Sequence, residues 1–116
     1  SQTPLNLILA AQPDFQKTIH LNSMKALFQR INFRYHLTGL DSSEAKSYIN
    51  HHLAVAGRSD ELFTDDVINE IFQQAKGVPR VINSLSYDCL MEIYMQNKNI
   101  VDMPTLEKVL LKWDVL

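Results

Sequence analysis

The sequence predicts a mainly α-helical protein. A bundle of four helices is expected over residues 40–116, preceded over residues 1–39 by a shorter strand–helix–helix–strand segment. Three observations carry this expectation. Beyond Gly39, apolar residues recur at helical spacing in four successive runs. Residues that start and stop helices flank those runs. The stretches at residues 5–11 and 32–37, by contrast, are short and lack the helical period.

Residues 5–11 (Leu-Asn-Leu-Ile-Leu-Ala-Ala) are nearly continuously apolar and stop at Gln12-Pro13-Asp14. That is the pattern of a strand buried on both faces, as in a parallel sheet. Residues 15–21 and 23–31 read as two short helices, the second with Met24, Leu27, Phe28 and Ile31 on one face. Residues 32–37 alternate polar with apolar and are rich in aromatics, which predicts a second strand. Asp41-Ser42-Ser43-Glu44 is a capping-box pattern opening the first bundle helix. Its stripe is Ala45, Tyr48, Ile49, His52, Leu53 and Ala56, with Gly57 to close it. Thr64 is expected to cap the next helix, with Asp65 and Asp66 near its positive end. Val67, Ile68, Ile71, Phe72 and Ala75 form its apolar face, and Gly77 stops it. Pro79 starts a third helix where no N–H is needed. The stripe Ile82, Leu85, Ser86, Cys89, Leu90 and Ile93 carries that helix towards Asn97. Asp102 and Pro104 open the last helix, whose apolar side is Leu106, Val109, Leu110 and Trp113. No internal repeat or low-complexity segment interrupts the series.

Composition narrows the function classes. With 46% hydrophobic and 21% charged residues the chain is ordinary globular protein, not a disordered tail. A net charge of -2 provides no overall positive field for nucleic acid or anionic membrane, so there is no strong nucleic-acid signal. Cys89 is the single cysteine, cannot form an internal disulfide, and lies on an apolar face where packing outweighs nucleophilic chemistry. His20, His36, His51 and His52 do not have metal-ligand spacing, so no metal site is expected. Asp41, Glu44, Asp65 and Asp66 read as helix-start charges rather than catalytic carboxylates. No signal-peptide pattern occurs, and no run approaches the ~20 apolar residues of a membrane span. The expectation is a cytoplasmic segment, reaching a membrane only through regions outside these residues. The absence of an initiator methionine hints at a piece of a longer protein, although processing would also remove it.

Three stretches then resemble one family. They are Leu7-Ile8-Leu9-Ala10-Ala11-Gln12-Pro13-Asp14-Phe15, Gln29-Arg30-Ile31-Asn32-Phe33-Arg34-Tyr35-His36-Leu37 leading to Leu40, and Gly77-Val78-Pro79-Arg80-Val81-Ile82-Asn83-Ser84-Leu85. With Tyr48-Ile49-Asn50-His51-His52-Leu53 and Ala56-Gly57 they cover nearly the whole chain. In order and spacing they resemble the C-terminal half of the AAA+ ATPases related to general secretion pathway protein A and to transposition ATPases of the TniB and TnsC kind. The Gly-Val-Pro-Arg helix start is the most specific piece, and Ala11 stands where the family commonly has glycine.

The resemblance implies that residues 1–39 are the end of the ATPase core and residues 40–116 its helical lid. It implies roles for three residues. Gln12 would be a polar sensor of the γ-phosphate and attacking water, although turn capping is an equal alternative. Arg30 would be an arginine finger reaching a neighbouring subunit, with Arg34 competing for that role. Arg80 would be a second sensor touching ATP phosphate from the lid. Arginine suits such work because it stays charged and forks onto phosphate oxygens, and phosphoryl transfer rests on positioning and charge stabilisation.

The sequence contains no Gly-x-x-x-x-Gly-Lys-[Ser/Thr] loop and no apolar strand ending in an acidic pair. ATP and Mg²⁺ are therefore implied for the intact protein, and this chain alone is expected to bind neither tightly and to be inactive. The implied partners are the rest of the ATPase core, like subunits in a homo-oligomer, and secretion or transposition components. The family fold also implies a further strand between those at residues 5–11 and 32–37. A non-enzymatic helical module that binds protein or DNA is the alternative function.

Overall fold

The computed structural model describes residues 5–115, with side chains through Asp114. The ends of the two expected segments, residues 1–4 and 116, lie outside the described residues. The order of elements is α1 (Phe15–Ile19), a 3-10 turn (Asn22–Met24), α2 (Lys25–Gln29), α3 (Ser42–Val55), α4 (Asp65–Ala75), α5 (Pro79–Met95) and α6 (Met103–Val115). The protein is mainly helical, as the sequence predicts. The chain divides into two compact units, Ser1–His36 and Leu37–Leu116.

The second unit is the bundle. Helix α5 packs against α4 and α6, and α3 packs against α4. Its core joins Ala45 and Ile49 of α3, Val67, Ile68, Ile71 and Ala75 of α4, Ile82, Leu85, Cys89 and Ile93 of α5, and Leu106 and Val109 of α6. These residues belong to the apolar stripes read from the sequence; Tyr48, Leu53, Phe72, Leu90, Leu110 and Trp113 line the edge half-buried, whereas His52 and Ala56 of the expected α3 stripe are exposed. Burial pushes the Cys89 thiol up to about 12, with Asp88 and Glu92 adding to the shift, so it stays neutral packing. The capping box forms in full: the Glu44 N–H donates to Asp41 Oδ1 at 2.8 Å and the Asp41 N–H to Glu44 Oε1 at 3.1 Å.

Two features of the bundle were not expected. Leu62-Phe63, before α4, pairs with Val101, before α6. The Val101 N–H donates to Leu62 O at 2.7 Å, and the Thr64 N–H to Val101 O at 3.4 Å, as an isolated parallel bridge. Leu62, Phe63 and Val101 are all buried. Phe63 and Val101 each occupy the position before an N-cap, from which an apolar residue staples onto the first turns of its helix. The second feature is Glu92, only 2% exposed on α5. Its carboxylate accepts from Lys108 at 2.7 Å, from Lys112 at 3.1 Å and from Gln96 at 2.7 Å, tying α5 to α6. Trp113 ties the same helices, its Nε1–H donating to Asp88 Oδ2 at 2.8 Å.

One cap differs from expectation. Thr64 holds the N-cap position of α4 with extended backbone, but its side chain makes no capping bond, and Oγ1 is buried without a partner. The first turn of α4 relies on Asp65 and Asp66 beside the helix dipole.

The first unit is built differently. Met24, Leu27, Phe28 and Ile31 are half-buried, and among the described residues only Ile19 is a buried apolar residue there. The two strands expected at residues 5–11 and 32–37 do not form; these stretches carry no regular structure. A strand exists only as part of a hydrogen-bonded ladder. No ladder engages either stretch among the described residues, the one bridge being that of Phe63 with Val101.

Candidate functional site

The turn from α4 into α5 leads directly to Arg80. Helix α4 ends with Lys76 and Gly77 both left-handed, at φ 54° and 73°. The Gly77 N–H reaches back to Phe72 O at 3.3 Å, and the Val78 N–H to Ala75 O at 3.0 Å. A six-to-one closure usually places glycine at its left-handed fifth position; here Lys76 stands there and Gly77 follows it. Lys76 lacks glycine's freedom, and a side chain in this region costs about 1–2 kcal/mol. Val78 is extended (φ -78°, ψ 116°), as a residue before proline prefers, and Pro79 opens α5.

Arg80 therefore sits in the first turn of α5, exposed. The amides of Val81 and Ile82 both bond Val78 O, at 3.1 and 3.0 Å. Among the described residues the Arg80 side chain has no hydrogen-bond or ion-pair partner. The other three arginines are engaged. Arg58 forks onto Asp60 with two bonds of 2.8 Å, the Arg34 guanidinium lies 4.1 Å from the centre of the Phe28 ring, and Arg30 Nη1 donates to Ala26 O at 2.9 Å.

Arg30 thus closes its own helix: it follows α2, is exposed, and returns its guanidinium to the last turn. Gln12 is exposed, and its carbonyl accepts from the Phe15 N–H at 2.9 Å, so backbone forms the turn into α1. Its side chain has no partner among the described residues. Gln12 and Arg30 belong to the first unit and Arg80 to the second. No hydrogen bond joins Gln12 to Arg30 among the described residues.

The sequence reading missed what supports the Arg80 turn. The segment entering the bundle runs directly against it, and the Leu40 N–H donates to Gly77 O at 2.8 Å. The signal was present in Gly39, a glycine with no helix to stop, which reads in the sequence only as a change of character. Among the described residues no three His, Cys, Asp or Glu side chains gather as metal ligands, and no helix is long and apolar enough to cross a membrane.

Comparison with known proteins finds general secretion pathway protein A of Aeromonas hydrophila, 28% identical over 95 residues. The alignment covers 82% of this chain and 17% of that protein, so the chain matches a small part of its relative's length. No protein-family model and no solved structure matches the chain.

Proposed function

We propose that this chain works within an AAA+-type ATPase, with residues 40–116 as the helical lid and Arg80 contacting ATP phosphate from that lid. One observation carries the reading: an exposed guanidinium without a partner, in the first turn of α5, in a chain related over 82% of its length to general secretion pathway protein A. The residues fit a phosphate at this point. A guanidinium donates in a fork to phosphate oxygens. The positive end of the 17-residue helix α5 favours the same anion.

In this reading Gln12 orients water at the γ-phosphate. Arg30 exchanges its bond to Ala26 for a phosphate in a neighbouring subunit of a homo-oligomer. Bound Mg²⁺ supplies neutralisation of phosphate charge, and its ligands, like the phosphate-binding loop, belong to an ATPase core beyond these residues. Assembly of secretion machinery is the process favoured by the likeness to the Aeromonas protein.

The test is nucleotide binding and turnover by the intact protein. Arg80→Ala is expected to weaken ATP affinity about tenfold or more, the worth of a charge-assisted hydrogen bond, while helix content stays unchanged. Unaltered affinity would refute the phosphate contact and favour a non-enzymatic interaction module. Arg30→Ala should lose turnover yet recover part of it when mixed with a phosphate-loop variant. Normal assembly without recovery assigns Arg30 to closing α2.

A further inference from the structure

The polypeptide enters the bundle through a backbone clamp on the turn that leads to Arg80. The Leu40 N–H donates to Gly77 O at 2.8 Å. A Cβ on Gly77 would stand 2.2 Å from Leu40 O and 2.9 Å from Leu40 N. One on Gly39 would stand 2.8 Å from Lys76 O and 3.0 Å from both C and O of Gly77. All these neighbours are main-chain atoms, so no side-chain rotation relieves the crowding. Two glycines facing each other are what allow the two segments to touch.

The path from the clamp to Arg80 is short and stiff. Gly77 is buried and held from behind by the Phe72 carbonyl. Proline fixes its own φ and restricts Val78 before it. Val78 O then accepts the first two amides of α5 that follow Arg80, those of Val81 and Ile82. Displacement at Leu40 therefore has few soft torsions in which to dissipate before it reaches the helix start.

We propose that the Gly39–Gly77 clamp positions Arg80: the entering segment and the first turn of α5 move as one piece, so movement of that segment advances or withdraws the guanidinium. Its functional half rests on the reading of Arg80 as a phosphate contact. The mechanical half stands on the geometry alone. Gly39 and Gly77 act through Arg80 and touch no nucleotide themselves.

Gly39→Ala is the informative variant, because it adds bulk at the clamp without the positive φ of Gly77. In this chain, amide exchange of Leu40, Val81 and Ile82 should quicken together, about tenfold or more, and the three should keep one shared opening free energy below that of residues 68–75 and 85–93. Leu40 quickening alone, or none of the three quickening, would overturn the clamp. If Gly39→Ala unfolds the bundle, exchange in the unaltered chain over low denaturant decides instead. The three amides must share one opening free energy, and separate openings overturn the proposal. In the intact protein, Gly39→Ala should weaken ATP binding, and adding it to Arg80→Ala should cause little further loss. Fully additive losses contradict positioning through Arg80. Failure of the ATPase reading looks different: Arg80→Ala leaves ATP affinity unchanged while the shared exchange of Leu40, Val81 and Ile82 persists.

Discussion

Two kinds of helix occupy this chain. Helices α1 and α2 have 5 residues each and no side-chain cap. Helices α3 to α6 run from 11 to 17 residues, and α3 begins with a complete capping box. The first unit is as apolar in pattern as the second, yet Leu5, Leu7 and Ile8 are 69%, 72% and 90% exposed, and Phe33 and Tyr35 are 93% and 88% exposed. The second unit buries a joint core drawn from all four of its helices. An apolar run becomes core only when a second layer covers it. A single helical turn cannot offset its own nucleation cost without such cover.

Amides of residues 16–29 should exchange at least about a thousandfold faster than those of residues 68–75 and 85–93, because the latter open only with the whole bundle. Comparable protection in both regions would mean that the first unit has a stability of its own that its burial does not explain.

Core truncation is the next largest effect. Ile71→Ala or Leu106→Ala, each removing a side chain that is 0% exposed, should cost about 2–5 kcal/mol in denaturant unfolding. Ile8→Ala should stay within about 0.5 kcal/mol, as at other solvent-facing positions. A large loss from Ile8→Ala would show that residues 5–11 are covered in solution.

Acid weakens a contact of the second unit. Lys108 and then Lys112 hold the Glu92 carboxyl below the usual carboxylate range. As pH falls, the unfolded chain takes up its proton at the ordinary carboxylate value, before the folded one does. The stabilisation is therefore complete above that value and disappears as pH passes through the lowered one. Melting temperature measured from neutral pH into acid should fall less steeply in Glu92→Gln than in the unaltered protein, from a lower starting point at pH 7. Identical acid slopes would place the acid sensitivity elsewhere, for instance at Asp41 or Asp102, whose carboxyls are also held low, by amide and hydroxyl donors.

The smallest effect concerns Thr64. Its buried hydroxyl has no partner, so Thr64→Val should be within about 0.5 kcal/mol of neutral, or stabilising, since it removes an unsatisfied polar group without loss of shape. A loss of about 1 kcal/mol, the usual worth of an N-cap, would show that the hydroxyl caps α4 in solution.

The four bundle helices, their buried faces and most of their ends are legible in the order of residues alone. These features depend on spacing and on contacts within a few residues: the Asp41–Glu44 box, the Gly77 stop and Pro79 at the start of α5 are all local. That order also marked Arg80 as a helix-start arginine, since its position depends only on the turn before it. Tertiary structure decided whatever needed a partner distant in sequence. Leu62-Phe63 became core because Val101 pairs with them, and Glu92 could be buried because Lys108 and Lys112 lie across the helix interface. Thr64 lost its capping role where the loop turned its hydroxyl inward. Residues 5–11 and 32–37 illustrate the same limit from the other side. Their pattern encodes a capacity for strand, but a strand's hydrogen bonds belong to its neighbour, and among the described residues no neighbour pairs with either. The meeting of Gly39 and Gly77 was likewise invisible in sequence, because a missing side chain reveals close approach only once the opposing backbone is in place.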